Sequence, residues 1–191
     1  MKKIGLTGNI GSGKTIISSC FNLLGVAVFN ADVEAKSLMN EDCNLKQSLI
    51  AEFGEKAYNN NELNRKYLSE LAFNDNLVLK RLNALVHPVV QDAFKKWSIK
   101  QSGGYVIKEA AILFESNTYQ PLDAIICISC PEEIRLKRIL QRDDLSEKEV
   151  RQRMSHQWSE DKKISLSDYI IINDNSCLVM PQILSIHNSL K

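Results

Sequence analysis

The chain has 191 residues, of which 44% are hydrophobic and 25% charged, and its formal net charge is +1. These values are typical of one globular domain, and a net charge so close to zero argues against a strongly basic surface for nucleic acid or anionic membranes. No apolar run approaches the roughly 20 residues of a membrane span, and no signal peptide is recognisable. We therefore expect a cytoplasmic protein with neither a nucleic-acid nor a membrane partner.

The first predicted elements surround a glycine-rich loop. Residues 4–7 are an apolar run that predicts a buried strand, and residues 8–15 read Gly-Asn-Ile-Gly-Ser-Gly-Lys-Thr, a complete G-x-x-x-x-G-K-S/T signature. Apolar residues then recur at helical spacing until Gly25, a residue type that commonly ends helices. In this context the backbone N–H groups surround phosphates, Lys14 adds a positive charge and the Thr15 hydroxyl holds Mg²⁺. The sequence thus predicts a phosphate-binding P-loop rather than a glycine-rich turn with a surface lysine.

A second strand is predicted at residues 26–29, and Asp32 follows it closely. The carboxyl ends of parallel strands meet at one edge of a sheet, so we expect this carboxylate to lie beside the P-loop. There it could accept or orient the proton of an attacking hydroxyl group. Alternatively, Asp32 is the N-cap of a helix that begins near residue 33, and the two roles are compatible.

A helical excursion follows, because the distance to the third predicted strand is too long for one crossover helix. Its helical patterns cover residues 33–39, 45–53, 66–73, 77–86 and 89–99, and Pro88 is predicted to separate the last two. The remaining strands are predicted at residues 105–107, 124–128 and 169–172. The alternation of strands and helices predicts an α/β fold with five parallel strands flanked by helices, and we interpret the excursion as a substrate-binding subdomain.

Charged residues after the later strands suggest further site residues. Glu109 follows the third strand, where an acidic residue often lies near Mg²⁺, although Asp is commoner there and Lys108 precedes it. Helices are predicted at residues 131–140 and 147–162, the second with a capping box at its start. Arg135, Arg138 and Arg142 are spaced by three and four residues, which would place them on one helical face that extends just past the first of these helices. This face is either solvated and balanced by nearby acids, or part of a lid that places guanidinium groups on transferring phosphates.

Cysteine and histidine spacing predicts neither a metal site nor a redox site. The five cysteines are odd in number, and the C-x-x-C pair of Cys127 and Cys130 lacks the second pair that zinc requires. Cys127 also lies in an apolar run, so we expect packing rather than redox chemistry. The three histidines show no metal-ligand spacing, and no catalytic triad can be assembled from them.

In their order along the chain, several motifs resemble the dephospho-coenzyme A kinase family. They are the P-loop at residues 6–15, Ala-Asp-Val-Glu-Ala at 31–35, His-Pro at 87–88, Ile-Leu-Phe-Glu at 112–115, and the stretches 138–143, 153–157 and 168–173. The resemblance implies a P-loop kinase-like fold. It also implies transfer of the γ-phosphoryl group of ATP to the 3′-hydroxyl of dephospho-CoA, the last step of coenzyme A biosynthesis.

The resemblance also implies roles for individual residues. The catalytic residues would be Asp32, Lys14 and Arg142. The ATP-binding residues would be Gly8, Gly11, Ser12, Gly13, Lys14, Thr15, Ile16, Arg138 and Asn173, the last near the adenine. Mg²⁺ would be held by Thr15 and Glu109, and dephospho-CoA by Asp32, Arg65, Phe73 and His87. The single domain would comprise a core (residues 1–31, 103–131 and 165–191), an acceptor-binding subdomain (32–102) and a lid (132–164).

The chain departs from the family pattern at a few positions. Asn30 stands where the family has the first Asp of Asp-Ala-Asp, and Ala111 stands where it has a proline. Asn9 replaces a glycine of the P-loop, Thr15 replaces a serine, and Lys36 replaces a histidine or arginine. The essential residues of the chemistry are retained.

Two other functions compete with this interpretation. One is another small P-loop kinase that phosphorylates a nucleotide or a metabolite hydroxyl group. The other, from a different class, is a nucleotide-dependent switch without an acceptor. The late strand ends in Asn-Asp-Asn-Ser at residues 173–176, which does not match the N/T-K-x-D element of guanine-binding proteins. The oligomeric state is left open by the sequence.

Overall fold

We describe a computed structural model that covers the backbone of all 191 residues and every side chain except those of Phe73, Asn74 and Asn76. Its principal sheet has five parallel strands in the order β2-β5-β1-β6-β7. These strands are β1 (Lys2–Gly8), β2 (Val28–Asn30), β5 (Tyr105–Glu109), β6 (Ala124–Ser129) and β7 (Tyr169–Ile172). A short antiparallel hairpin consists of β3 (Tyr58–Asn59) and β4 (Glu62–Leu63). The five-stranded parallel sheet predicted from the sequence is confirmed.

Nine α-helices are found in the described backbone. They are α1 (Lys14–Leu23), α2 (Ala31–Glu41), α3 (Cys43–Phe53), α4 (Arg65–Asn74), α5 (Asn76–Ile99), α6 (Glu132–Arg142), α7 (Glu147–Ser155), α8 (Glu160–Ser165) and α9 (Val179–Leu190). Within the described residues, no helix combines the length and the apolar character needed to cross a membrane.

The chain divides into two compact units, one formed by Met1–Asn30 with Lys100–Lys191 and the other by Ala31–Ile99. The first unit contains the parallel sheet. Its core consists of apolar side chains from β1, β5, β6 and β7 packed with Ile17 and Phe21 of α1 and Ile183 of α9. Burial on both faces explains why the central strands are nearly continuous apolar runs.

The second unit is helical. α5 packs against α2, α3 and α4, and the buried residues Val86, Val90 and Phe94 follow one another at four-residue spacing along α5. Its hairpin turns through Asn60 and Asn61, which have φ values of 48° and 73°. Asparagine tolerates this left-handed conformation better than most residues, which favours a two-residue hairpin turn.

Two predicted helix boundaries are wrong. Pro88 lies inside α5, because the buried stripe that includes Val86 and Val90 continues through it and packing outweighs the lost backbone hydrogen bond. The helix predicted at residues 147–162 is divided into α7 and α8. The intervening Gln157 and Trp158 make hydrogen bonds to distant parts of the chain instead, and Ser159 caps α8.

Candidate functional site

The P-loop connects β1 to α1 and turns tightly at two glycines. Gly11 has φ 81° and Gly13 has φ 95°, values that residues with a side chain rarely adopt. A Cβ atom on Gly11 would lie 2.7 Å from the carbonyl oxygen of Arg135, and one on Gly13 would meet the Asn173 amide. Both positions therefore require glycine, for backbone conformation and for space.

The P-loop leads directly into α1, whose first residue is Lys14. Among the described residues no side chain caps the α1 N-terminus, and the first turn carries no acidic residue. The positive end of the helix dipole therefore favours an anion at this position. Lys14 is half-buried, and its ammonium group donates to the carbonyl oxygens of Gly8 (2.9 Å) and Asn9 (3.4 Å). The positive charge is thus held at the loop, where a phosphate could replace these carbonyl groups.

Several buried polar atoms around the loop lack partners within the described part of the chain. They are Thr7 Oγ1, Asn9 Oδ1 and Ser12 Oγ. Buried polar atoms are seldom left unpaired in folded proteins, and exceptions often mark a site for a ligand, ion or ordered water. Their position beside the P-loop supports a nucleotide phosphate as the group that this region accommodates.

Two of the predicted ATP-binding residues meet at the P-loop. Asn173 directly follows β7, and its side chain donates from Nδ2 to the carbonyl oxygen of Ser12 at 2.8 Å. Arg138 of α6 donates from Nη2 to the carbonyl oxygen of Asn173 at 3.1 Å and to Oδ1 of Asn175 at 2.6 Å. The structure therefore brings Arg138 and Asn173 together with the loop, although each lies more than 120 residues along the chain from it.

The other two arginines of α6 differ in environment. Arg135 is buried and donates from Nε to the carbonyl oxygen of Cys130 at 2.8 Å, so the solvated-face interpretation is wrong for this residue. Arg142 is exposed at the end of α6 and forms a two-bond pair with Asp143, at 2.8 and 2.9 Å. This pair lowers the pKa of Asp143. Arg142 therefore lies at the surface, where another anion could replace Asp143 as its partner.

Glu109 ends β5 beside the P-loop strand and is buried. Its Oε2 accepts a hydrogen bond from Ser18 Oγ of α1 at 2.8 Å and another from Asn30 Nδ2 at 3.1 Å. Asn30 stands where the resemblance leads one to expect an aspartate, and its amide supplies a donor to a neighbouring carboxylate. The preceding residue, Lys108, is also buried, and burial lowers its pKa to about 8.

The oxygen ligands near α1 fit Mg²⁺. Thr15 offers a hydroxyl group in the first turn and Glu109 a carboxylate, and both are ligand types that this hard cation prefers. The described residues contain no cluster of three or more His, Cys, Asp or Glu that could hold a metal. Mg²⁺ bound with a nucleotide needs none, because it takes one or two protein ligands together with phosphate oxygens and water.

Comparison with known proteins identifies the family. The family described as dephospho-CoA kinase matches residues 2–178. The dephospho-CoA kinase of Salinibacter ruber is 37% identical over 180 residues, which cover 92% of this chain and 90% of that protein. The Bacteroides fragilis protein of the same name is 33% identical over 185 residues, with coverages of 96% and 90%.

The chain belongs to the dephospho-CoA kinase family.

Solved structures agree with this assignment. A crystal structure from Thermus thermophilus superimposes with a TM-score of 0.86 at 28% identity and covers 98% of this chain. Dephospho-CoA kinase from Campylobacter jejuni superimposes with a TM-score of 0.71 at 28% identity and covers 100% of this chain and 98% of that chain. Shikimate kinase from Bacteroides thetaiotaomicron gives 0.54 at 13% identity, which shows only a shared fold. The predicted family, the P-loop kinase-like α/β fold and the kinase class are confirmed.

The predicted acceptor-binding residues all lie in the helical unit Ala31–Ile99. Asp32 is exposed in the first turn of α2, which begins at Ala31, so its interpretation as an N-cap is wrong. Arg65 is exposed at the start of α4, and His87 is half-buried in α5. The side chain of Phe73 lies outside the described residues.

Sequence reasoning missed a buried ion pair in the first unit. Lys163 is fully buried and its Nζ lies 2.8 Å from Oε1 of Glu115. The same lysine donates to the carbonyl oxygen of Ala111 at 3.0 Å, and Glu115 Oε1 also accepts from the Trp158 N–H at 2.9 Å. Glu115 ends the Ile-Leu-Phe-Glu motif, so the motif marked the glutamate, but its partner is 48 residues away and no local pattern indicates it.

The C-x-x-C cysteines are structural. Cys127 and Cys130 are both free and buried, and burial raises the pKa of Cys127 to about 11 and also raises that of Cys130. Redox chemistry requires the thiolate form, which this environment disfavours. The packing role expected for Cys127 is consistent with these observations.

Proposed function

We propose that this protein transfers the γ-phosphoryl group of ATP to the 3′-hydroxyl of dephospho-CoA and so forms coenzyme A and ADP. The observation that carries the proposal is the P-loop, in which Lys14 and the uncapped start of α1 face the position that a triphosphate would take. Membership of the dephospho-CoA kinase family supplies the acceptor.

The triphosphate is bound by the loop and the first turn of α1. The backbone of Gly8, Gly11, Ser12 and Gly13 surrounds it, and the first-turn N–H groups of Lys14, Thr15 and Ile16 donate to it. Lys14 leaves the carbonyl oxygens of Gly8 and Asn9 and binds the β- and γ-phosphates. Most of the catalytic effect of such a site is electrostatic, because charge spreads over the phosphoryl oxygens in the transition state.

Two arginines of α6 complete the nucleotide side. Arg138 and Asn173, which already meet at the loop, bind the adenosine end of ATP. Arg142 exchanges Asp143 for the transferring phosphoryl group, whose charge a planar guanidinium matches with two hydrogen bonds. Arg142 lies at the end of α6 within the predicted lid, residues 132–164, and this part of the lid brings the arginine to the site.

Thr15 and Glu109 would hold Mg²⁺, the Thr15 hydroxyl directly and Glu109 from the end of β5. When bound, the ion neutralises phosphate charge and fixes the orientation of the β- and γ-phosphates. Ser18 and Asn30 hold the Glu109 carboxylate in a fixed rotamer through two hydrogen bonds to Oε2.

The acceptor is bound by the helical unit. Asp32 accepts or orients the proton of the 3′-hydroxyl, a task for which an exposed carboxylate in the first turn of α2 is suited. Arg65, Phe73 and His87 bind the rest of dephospho-CoA, Arg65 through its positive charge toward the acceptor's phosphates.

Acceptor-dependent release of ADP tests the proposal. The purified protein is incubated with Mg²⁺-ATP and, separately, dephospho-CoA, its 3′-deoxy analogue, shikimate, nucleosides and nucleotides. Of these acceptors, we expect only dephospho-CoA to cause ADP release. Phosphorylation of another acceptor in its place would identify a different small P-loop kinase, and ATP binding without any acceptor effect would identify a nucleotide switch.

A further inference from the structure

The P-loop is held from outside by the segment that joins α7 to α8. The N–H of Ile10 donates to Oε1 of Gln157 at 2.8 Å, and Nδ2 of Asn9 donates to the carbonyl oxygen of Trp158 at 3.2 Å. Neither Gln157 nor Trp158 is among the residues assigned to ATP, magnesium or acceptor binding. The two contacts hold the loop at the residues that precede Gly11.

The segment that makes these contacts is itself well fixed. The Trp158 N–H donates to the half-buried Glu115 carboxylate at 2.9 Å, which also pairs with the buried Lys163 at 2.8 Å. The Trp158 ring stacks on Phe114 with 6.4 Å between ring centres and 5° between planes. Gln157 therefore extends from a rigid base, and its side chain can impose a position on the loop.

The loop needs such a support because its own sequence favours many conformations. Glycines lose more backbone freedom on ordering than other residues, and three of them lie within the P-loop signature. ATP binds more tightly to a loop that is already ordered, since the ordering then does not oppose binding. The Ile10 N–H is held by a side chain from the segment between α7 and α8, so loss of this hydrogen bond would release the loop locally.

We propose that Gln157 is a positioning residue for ATP, which holds the P-loop in its phosphate-binding conformation by accepting the Ile10 N–H. A neutral amide suits this place, because it offers an acceptor without adding negative charge near the phosphates. The inference rests on the proposed function, in that ATP is the ligand of the loop. It adds a residue that touches neither ATP nor dephospho-CoA and acts through the backbone of Ile10.

The test compares Gln157→Leu with Gln152→Leu, a matched change of an exposed glutamine on α7. We expect Gln157→Leu to weaken Mg²⁺-ATP binding about tenfold by calorimetry, because the Ile10 N–H loses its partner. The KM for ATP rises in parallel, while the KM for dephospho-CoA changes less than twofold. Gln152→Leu should match the wild type in both. Unchanged ATP affinity in Gln157→Leu, or an equal rise in both KM values, would overturn the proposal.

A second variant covers the case in which Gln157→Leu fails to fold. Gln157→Glu keeps the acceptor for Ile10, so its melting temperature should match the wild type. Its added negative charge should still weaken ATP binding, and this loss should shrink as salt rises from about 0.05 to 0.5 M. If Gln157→Glu bound ATP at low salt as tightly as the wild type does, the placement of Gln157 beside the P-loop would be contradicted. Because ATP binding is measured without dephospho-CoA, a wild type that binds ATP but does not phosphorylate the acceptor would refute the proposed function alone.

Discussion

Replacing Asn30 by aspartate tests the environment of Glu109 and the place of Mg²⁺. In the structure the Asn30 amide donates to Glu109 Oε2 at 3.1 Å. The substitution Asn30→Asp removes that donor and places a second carboxylate against a buried one. It also introduces the residue that the resemblance leads one to expect at this position. We therefore expect a protein that is destabilised without Mg²⁺ and recovers when Mg²⁺ is added.

The size of the expected destabilisation follows from the distance between the side chain at position 30 and the Glu109 carboxylate. Two unit charges 3.1 Å apart repel by about 5 kcal/mol at an effective dielectric constant of 20. Protonating one carboxyl at pH 7.5 relieves the repulsion but costs about 5 kcal/mol from an ordinary pKa near 3.9. Asn30 is half-buried, so rotation of the new carboxylate toward solvent reduces the cost. We expect a loss of about 2–4 kcal/mol, which corresponds to roughly 4–16 °C in melting temperature for a chain of this size.

Thermal melts in EDTA and in millimolar Mg²⁺ measure this effect. Asn30→Ala is the control, because it loses the hydrogen bond without adding charge and its smaller loss should not respond to Mg²⁺. The double variant Asn30→Asp/Glu109→Gln should regain stability without the ion. Equal stability of Asn30→Asp and Asn30→Ala in EDTA, or no response to Mg²⁺, would refute this reasoning.

Four further predictions concern single residues. Lys14→Ala should reduce kcat/KM by roughly two to four orders of magnitude with little change in melting temperature, and near wild-type turnover would contradict the P-loop assignment. Arg142→Lys should be nearly as inactive as Arg142→Ala, because lysine cannot form the planar two-bond pair; wild-type kinetics in the lysine variant would assign Arg142 to the helix end alone. Asp32→Asn should lower kcat about 100-fold, with unchanged Mg²⁺-ATP binding by calorimetry and a loss of stability of no more than about 1 kcal/mol by thermal melts. An unchanged kcat would exclude Asp32 as the catalytic carboxylate. Burial lowers the pKa of Lys108 to about 8, so the unfolded chain binds more protons than the folded chain between pH 8 and 10.5. As the pH rises through that range, the free energy of unfolding of the wild type should therefore gain up to about 3 kcal/mol relative to Lys108→Met. Parallel curves of stability against pH for the two proteins would contradict this prediction.

The parts of this molecule that depend on local pattern could be predicted from the sequence. The five strands of the principal sheet are short apolar runs, and the P-loop has a signature whose glycine, lysine and threonine positions each have a physical reason. Strand ends shifted by only a few residues, as at β2, predicted at 26–29 and found at Val28–Asn30. The family motifs gave the correct family because they recur in order along nearly the whole chain.

Features decided by tertiary contacts could not be predicted. Proline breaks most helices, yet Pro88 remains inside α5 because the apolar stripe on either side of it is buried. The break between α7 and α8 arises from hydrogen bonds of Gln157 and Trp158 to residues far away in the sequence. The hairpin at Asn60 and Asn61, by contrast, carries a local signal in two adjacent residues that tolerate positive φ.

Within the site, the sequence identified residues but not their partners. It placed Glu109 near Mg²⁺ without indicating that Asn30 and Ser18 hold its carboxylate. Similarly, it named Arg138 and Asn173 without showing that they meet over Ser12. The individual site residues, the three-part domain division and the cytoplasmic location stay predictions.

Identification of the phosphorylated position tests the central claim most directly. The protein is incubated with Mg²⁺-ATP and dephospho-CoA, and the product is examined by ³¹P NMR and mass spectrometry, with Lys14→Ala as the control for a contaminating kinase. We predict one added phosphate on the ribose 3′-oxygen and one ADP for each coenzyme A formed, with the product reduced in the variant to the same extent as ADP release. Absence of a phosphorylated product, or phosphate at another position, would contradict the assignment of this chain as a kinase of the dephospho-CoA 3′-hydroxyl.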